Sequence, residues 1–368
     1  MDDPDVIYFD SVSCNLGTQV GLPPFATYNQ SRTIPYLKNP EEYYGAIVSV
    51  YLNDTSIPAI VPEIAPYQND PNLTIYNVTL QYGATIVTQP VLFQPQNLNA
   101  EVPLGPSSYP NGIPNNQNGY YNIYSYQFFM GLVNVAFATA YNALDALVPA
   151  LPANKPPILV YDSTTSLFSI VATASLYNDD GSPVIPIVIY MNSALYHLFQ
   201  FTKYFIEVAG SNEHQIIMNS NTSFIDATND RMINTQQSKS ITLWNTITDI
   251  VITSTYIPSL RVQTGIPQIQ YNSENYPVST NNSSTLQILV DFQYNVSNDQ
   301  LCIKYVPPGQ YQLFEMNSAE PLYNLDWTMW YKARTGLLYP IFLNSGSTAS
   351  VKLGFFKKSV FRHLKAIL

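Results

Sequence analysis

The sequence predicts a mainly β protein, built as two β-sandwich blocks in series with one long helix inserted in the first. Three observations carry this reading. Runs rich in Val, Ile, Tyr, Phe and Thr recur along the 368 residues, most of them bounded by Pro, Gly, Asn or Asp. Turn chemistry stands between them, as in Asn178-Asp-Asp-Gly181 and Pro307-Pro-Gly309. A single long stretch of helical period interrupts the pattern.

Taken in order, residues 1–39 read as an N-terminal arm. They open on the acidic Met1-Asp-Asp-Pro-Asp5, which holds no apolar signal-peptide core, so synthesis inside the cell is expected. Strands are predicted at 43–52, 73–82, 158–161, 167–177 and 184–190, then at 241–253, 286–294, 301–306, 327–331 and 349–356. Leu73 to Leu80 alternates apolar with polar residues, the pattern of a sheet with one wet face. With weaker candidates the total is roughly 16 strands, more than one small sandwich holds.

Ser125–Val148 places Phe128, Phe129, Leu132, Val135, Ala136, Ala140, Ala143, Leu144 and Leu147 on one helical stripe that stops at Pro149. Its length invites a membrane-spanning reading. Asn134, Asn142, Asp145 and Gly131, with no flanking basic residues, favour a buried amphipathic helix. Asn192–Phe199 reads as a short helix with Asn192 as its N-cap. The polar segments 94–119 and 209–239 read as surface loops, the second as a domain boundary. The blocks fit a double jelly roll: a first roll over 40–225 carrying the helix 125–148, and a second over 226–357.

Composition limits the chemistry. Only 11% of residues are charged, and there are three His and two Cys, against 29 Tyr, 28 Pro and 17 Phe. Acid–base, nucleophilic and metal chemistry draw on the groups that are scarce here. A surface of neutral hydrogen-bonding side chains suits close self-association, since interface cores are depleted in charge and rich in aromatics. The composition points to a structural protein, with no cofactor, no metal and no catalytic residue.

Local candidates have plainer readings. His197 lies in the short helix without a nucleophile beside it and reads as a packed histidine. Asp179-Asp180 offers two calcium ligands but no EF-hand spacing, and a turn explains it. Glu41-Glu42 reads as a solvated approach to a strand. Cys14 has no basic neighbour before Arg32 and reads as an inert thiol. Tyr120, Tyr121, Tyr124 and Tyr126 suit a sugar platform, a subunit contact or the core. An enzyme would need distant carboxylates brought together, Asp162 with Asp291 for instance.

Charge is uneven. Residues 1–351 hold 10 basic and 25 acidic groups, while the last 17 hold Lys352, Lys357, Lys358, Arg362 and Lys365 and no acid. Residues 358–368 form a basic amphipathic tail, with Val360, Phe361, Leu364, Ile367 and Leu368 on one face. Lys357, Lys358, Phe361, Arg362, Leu364 and Lys365 are the expected contacts to a partner, a membrane or a genome. The rival is a tail packed on its own domain.

The tract Asp326-Trp-Thr-Met-Trp-Tyr-Lys-Ala-Arg-Thr-Gly336, followed by Tyr339-Pro340, Ser345-Gly346 and Lys352 to Lys358, joins the architecture of 40–357 in a resemblance. The chain resembles capsid proteins of the tectivirus–adenovirus lineage, which includes virophages and polinton-like viruses. The resemblance implies a virion structural protein, a major capsid protein assembling as trimers into an icosahedral lattice beside vertex or cement proteins. Its alternative is a pentameric vertex (penton) or minor capsid protein with a single roll plus an insertion. A carbohydrate-binding β-sandwich module is the reading from another class.

Overall fold

The computed structural model describes residues 4–17, 24–53, 56–65, 70–96, 119–181, 183–201, 213–244, 247–259, 269–271, 277–279, 287–293, 302–308, 310–333, 336 and 338–360. Most of the 94–119 loop lies outside these residues, as does 361–368.

The chain opens with β1 (Val6–Cys14), β2 (Thr27–Ser31) and β3 (Tyr43–Asn53). Then come the hairpin β4 (Leu73–Tyr82) and β5 (Thr85–Leu92), and the long helix α1 (Tyr126–Leu147). β6 (Ile158–Asp162), β7 (Leu167–Thr173), α2 (Ala174–Tyr177), β8 (Ile187–Asn192) and α3 (Ser193–Phe199) follow. The short strands β9 (Glu213–Ile216), β10 (Phe224–Asp226) and β11 (Arg231–Thr235) lead to α4 (Ile241–Trp244). The last part holds β12 (Ile247–Ser254), β13 (Ile269–Tyr271), β14 (Pro277–Ser279) and β15 (Gln287–Gln293). It ends with β16 (Cys302–Tyr305), β17 (Leu313–Glu315), β18 (Asn324–Ala333), β19 (Leu338–Pro340) and β20 (Thr348–Lys357).

Both ends of the chain build one sandwich. Its first sheet runs β1-β20-β3-β16, with β17 also on β3; its second runs β15-β12-β18-β19, with β2 also on β18. All of these pairs are antiparallel. Side chains alternate across each strand, so Ile47, Val50, Val351, Leu353 and Phe355 of the first sheet meet Ile250, Ile252, Leu289, Trp327 and Met329 of the second in one core. Gly45 is required in β3, because a Cβ there would lie 2.1 Å from the Phe314 ring. The expected N-terminal arm is thus two strands of this sandwich: β1 pairs with β20 from Val6 to Cys14, and β2 with β18.

The middle of the chain makes a second core, drawn from Ile60 to Trp244. It has two four-stranded sheets, β5-β4-β8-β9 and β10-β11-β7-β6. The helix α1 packs on β4 and β5 of one and on β6 of the other. Its buried stripe is Phe129, Met130, Leu132, Val133, Ala136, Phe137, Ala140, Tyr141 and Leu144. Val135 and Leu147, expected on that stripe, are exposed. No described helix is long and apolar enough to cross a membrane.

Two expected strands change type at one end. The predicted run 167–177 turns helical at Ala174, and the run 241–253 begins as the helical turn α4. α4 delivers Trp244, which stacks on Phe168 (4.6 Å between ring centres, 1° between planes) and meets Phe129, Tyr126 and Phe199 edge-on. The segment 209–239 holds three strands rather than a loop alone, and β11 pairs with β7. Residues 231–244 therefore pack with the middle core. The expected division at 225/226 does not follow the two cores, which separate near 58 and 246.

Candidate assembly surfaces

The side chains singled out for chemistry are dispersed and locally satisfied. Among the described residues, no group of three His, Cys, Asp or Glu is placed to hold a metal ion. Asp180 accepts from the Ser220 N–H (2.8 Å), and Asn178 Oδ1 accepts from the Asp180 N–H (3.1 Å), so this acidic pair ties a turn. Asp162 accepts from the Thr165 hydroxyl and the Thr164 N–H, which hold its carboxyl below the usual range. Asp291 stands on β15 of the end-built sandwich, while Asp162 ends β6 in the middle unit.

The packed histidine is His214 and not the expected His197. Asn192 caps α3 as expected, accepting from the Leu195 N–H (3.2 Å). His197 on that helix is exposed. His214 of β9 is the packed one: it is buried, stacks on Tyr196 (4.5 Å, 13°) and shares a hydrogen bond with Ser193 Oγ (2.8 Å).

The tyrosines before α1 belong to the core. Tyr120 and Tyr121 pack edge-on against each other and against Phe93. Burial pushes the Tyr124 hydroxyl up to about 12, as it does for Tyr76. Tyr126 meets Trp244 and Tyr161. None of these four forms an exposed stacking platform.

Exposed apolar side chains instead collect on two sheet faces. On the outer face of β10-β11-β7-β6, the register aligns Ile158, Val171, Ile233 and Phe224 in one row across all four strands. Strands stand ~4.8 Å apart, so the row spans about 15 Å. Ile158 is 48% and Phe224 68% exposed. Their neighbours in sequence, Leu159 and Met232, point into the core.

The second face is the outside of β1-β20-β3-β16. At the end where β20 stops, Val6, Phe356, Tyr44 and Glu315 form one row. Phe356 is flanked by Tyr8 (5.9 Å, edge-on) and Tyr311 (5.5 Å, stacked). Val6, Tyr8, Val12 and Tyr311 are all exposed, as is Cys14 at the far end of β1.

The lysines of the tail region are tied to this sheet. Lys352 pairs with Asp10 (3.5 Å), Lys357 with Glu42 (3.8 Å) and Lys358 with Glu315 (2.8 Å). Lys358 also lies over the Tyr44 ring. Of the expected tail contacts, Lys357 and Lys358 thus have acidic partners on their own chain. Phe361, Arg362, Leu364 and Lys365 lie outside the described residues. Sequence reasoning missed the row on β6, β7, β10 and β11, since only the register of four strands assembles it. The signal was present in Ile158-Leu-Val160 and Arg231-Met-Ile233, where alternation leaves an apolar residue on each face.

With this geometry in hand, known proteins give a consistent set of likenesses. A family model described as Sputnik minor capsid protein V18/19 matches residues 7–358. The protein V18 of Sputnik virophage, itself uncharacterized, is 32% identical over 151 residues, which is 40% of this chain and 89% of V18. The structural protein V19 of Sputnik virophage is 26% identical over 227 residues, 55% of this chain and 95% of V19. A chain of the Sputnik virophage cryo-EM structure superposes with a TM-score of 0.74 at 25% identity, covering 97% of this chain and 99% of that one. The mavirus penton protein superposes with a TM-score of 0.58 at 15% identity, covering 96% and 99%. The fold is a jelly-roll, capsid-like one, mainly β with several antiparallel sheets and a long helix.

Proposed function

The chain belongs to the family of the Sputnik minor capsid protein V18/19, and from that premise we propose that five copies form a ring at the vertices of an icosahedral shell. It is a structural component of the virion capsid, not an enzyme, and it assembles with other capsid proteins. In the proposed vertex protein, one jelly roll is made from the two ends of the chain and the middle unit is inserted into it.

The observation that carries this reading is the pairing of β3 with β20 and of β2 with β18, strands from opposite ends of the sequence. Two rolls in series, the arrangement expected of a trimeric major capsid protein, would keep each core contiguous in sequence. Here the core of Ala26 to Ile57 and Ile247 to Phe355 closes around an intervening core of its own. The likeness to the mavirus penton over 96% of the chain supports the same reading. Rings need two different surfaces that meet head to tail, and the two exposed apolar faces are candidates for them.

Light scattering on the purified full-length chain tests the proposal. A mass near five times 41.3 kDa is expected. A mass near three times that value returns the trimeric capsomer. A chain that stays monomeric at high concentration removes the ring altogether.

A further inference from the structure

We propose that neighbouring copies join edge to edge through their first sheets, β1 of one copy pairing antiparallel with β16 and β17 of the next. Cys14 then comes opposite Cys302 of the neighbouring copy. The inference rests on the ring proposed above and names its contact.

The first observation is an unguarded edge. β1 closes one side of the sheet, and no described strand pairs with its other side. The Lys357 N–H donates to the Asp5 carbonyl and the Asn15 N–H to the Ser347 carbonyl, so the odd-numbered residues of β1 bond to β20. Alternation then turns the N–H and C=O groups of Val6, Tyr8, Asp10, Val12 and Cys14 outward. Edge strands are normally blunted by Pro, Lys, a bulge or shortness. β1 runs nine residues with no Pro, no Lys and no shift in its register. Such an edge is a template for another strand.

The second is the match at the opposite edge. There β16 and β17 both lie on β3, and no described strand pairs beyond them. Rows cross the sheet from one edge to the other. Val12, Ser350, Tyr51 and Lys304 form one, and Tyr8, Gly354, Ala46 and Leu313 another. The two edges therefore stand at the same heights, about 14 Å apart. Each step across the sheet reverses direction, so β16 and β17 run antiparallel to β1. A rotation about an axis parallel to the strands keeps both direction and height. It brings β1 against β16 and β17 of the next copy with no rise, as closure of a ring requires. Exposed faces alone fix neither direction nor height.

The third is the chemistry along this seam. The chain's two cysteines stand one at each edge in the adjoining row, Cys14 paired with Thr348 and Cys302 with Asn53. In the seam they are directly opposed, with Cα atoms ~5.5 Å apart, a separation that a disulfide spans. Two residues along, Val12 meets Lys304. Lys304 is exposed and has no ion pair among the described residues, and Asp10 of the neighbouring β1 stands one diagonal step away.

The test uses the full-length wild-type chain, sized by light scattering and then oxidised with copper phenanthroline. A non-reducing gel is expected to show a ladder ending at five chains, with peptide mapping joining Cys14 to Cys302. Cys14→Ser and Cys302→Ser are each expected to abolish the ladder. Five-chain particles without that bond, or with Cys14 joined to Cys14, overturn the seam and leave the ring. The Cys14–Cys302 bond in a trimer keeps the seam and removes the fivefold count. A chain that stays monomeric removes both. Val12→Pro gives a second reading, since it deletes an N–H that faces the open edge and leaves the chain's own ladder intact. The variant is expected to keep the wild-type circular dichroism and to assemble about tenfold more weakly. Assembly at the wild-type level overturns the seam.

Discussion

At the scale of single residues, the sandwich is pinned by a contact between its sheets. Trp327 is fully buried on β18, and its indole N–H donates to Ser11 Oγ on β1 (2.7 Å). Ser11 in turn donates to the Val351 carbonyl of β20 (2.8 Å). Ser11→Ala leaves the indole N–H without a partner in an apolar core, a loss of about 1–3 kcal/mol. Urea denaturation reads this as a lower midpoint at unchanged slope. In a Trp327→Phe background the same substitution is expected to cost less, and an equal cost there assigns the effect to something other than the indole. Sequence reading marked Trp327 as a strand residue. It could not find Ser11, 316 positions away, because hydrogen-bond partners across a sandwich leave no local trace. His197 and His214 teach the same lesson, since only the pairing of β9 with β8 brings His214 under Tyr196.

At the scale of elements, long periodic segments were legible and their margins were not. The helix predicted at 125–148 runs from Tyr126 to Leu147, and the strand predicted at 73–82 has those limits. Its wet face was misjudged. Thr79 is buried on the face opposite Val78 and Leu80, where its hydroxyl meets Thr88 and Glu213. Asn134 is an element-scale device of another kind. Its side chain accepts from the Leu159 N–H (2.7 Å) and donates to the Leu159 carbonyl (2.9 Å), so α1 closes the open edge of β6. Edge strands need such cover against unwanted pairing. Asn134→Ala removes both bonds at a buried leucine, at a cost of about 1–3 kcal/mol. The better helix propensity of Ala offsets roughly 0.5 kcal/mol of it. Hydrogen exchange should quicken at Leu159 and its neighbours with little change in α1. Stability at the wild-type level would mean that water replaces the amide fully.

At the scale of the molecule, the strand-rich character was legible, but the described residues hold 20 strands against roughly 16 expected, and their partition was not legible. Apolar runs find the long core strands and miss short polar ones such as β2 and β9, and the closing of one sandwich from both ends is a property of topology. The order of folding follows from it. Ala349 of β20 pairs with Leu52 of β3 roughly 300 positions earlier, and closing so long a loop costs entropy before any contact repays it. In the middle unit, β4 and β5 are joined by a two-residue turn, and β6 and β7 by four residues. Once that unit is compact it shortens the effective distance between the ends, so it should form first. Pulse-labelled hydrogen exchange during refolding is expected to protect amides of β4, β5 and α1 before those of β3, β18 and β20. Simultaneous protection would mean that the two cores fold as one unit. Sequential protection has a consequence for assembly. Until β20 is in place, β1 and β3 present unpaired edges on a chain with few charges to keep copies apart, which is where aggregation would compete with capsid assembly.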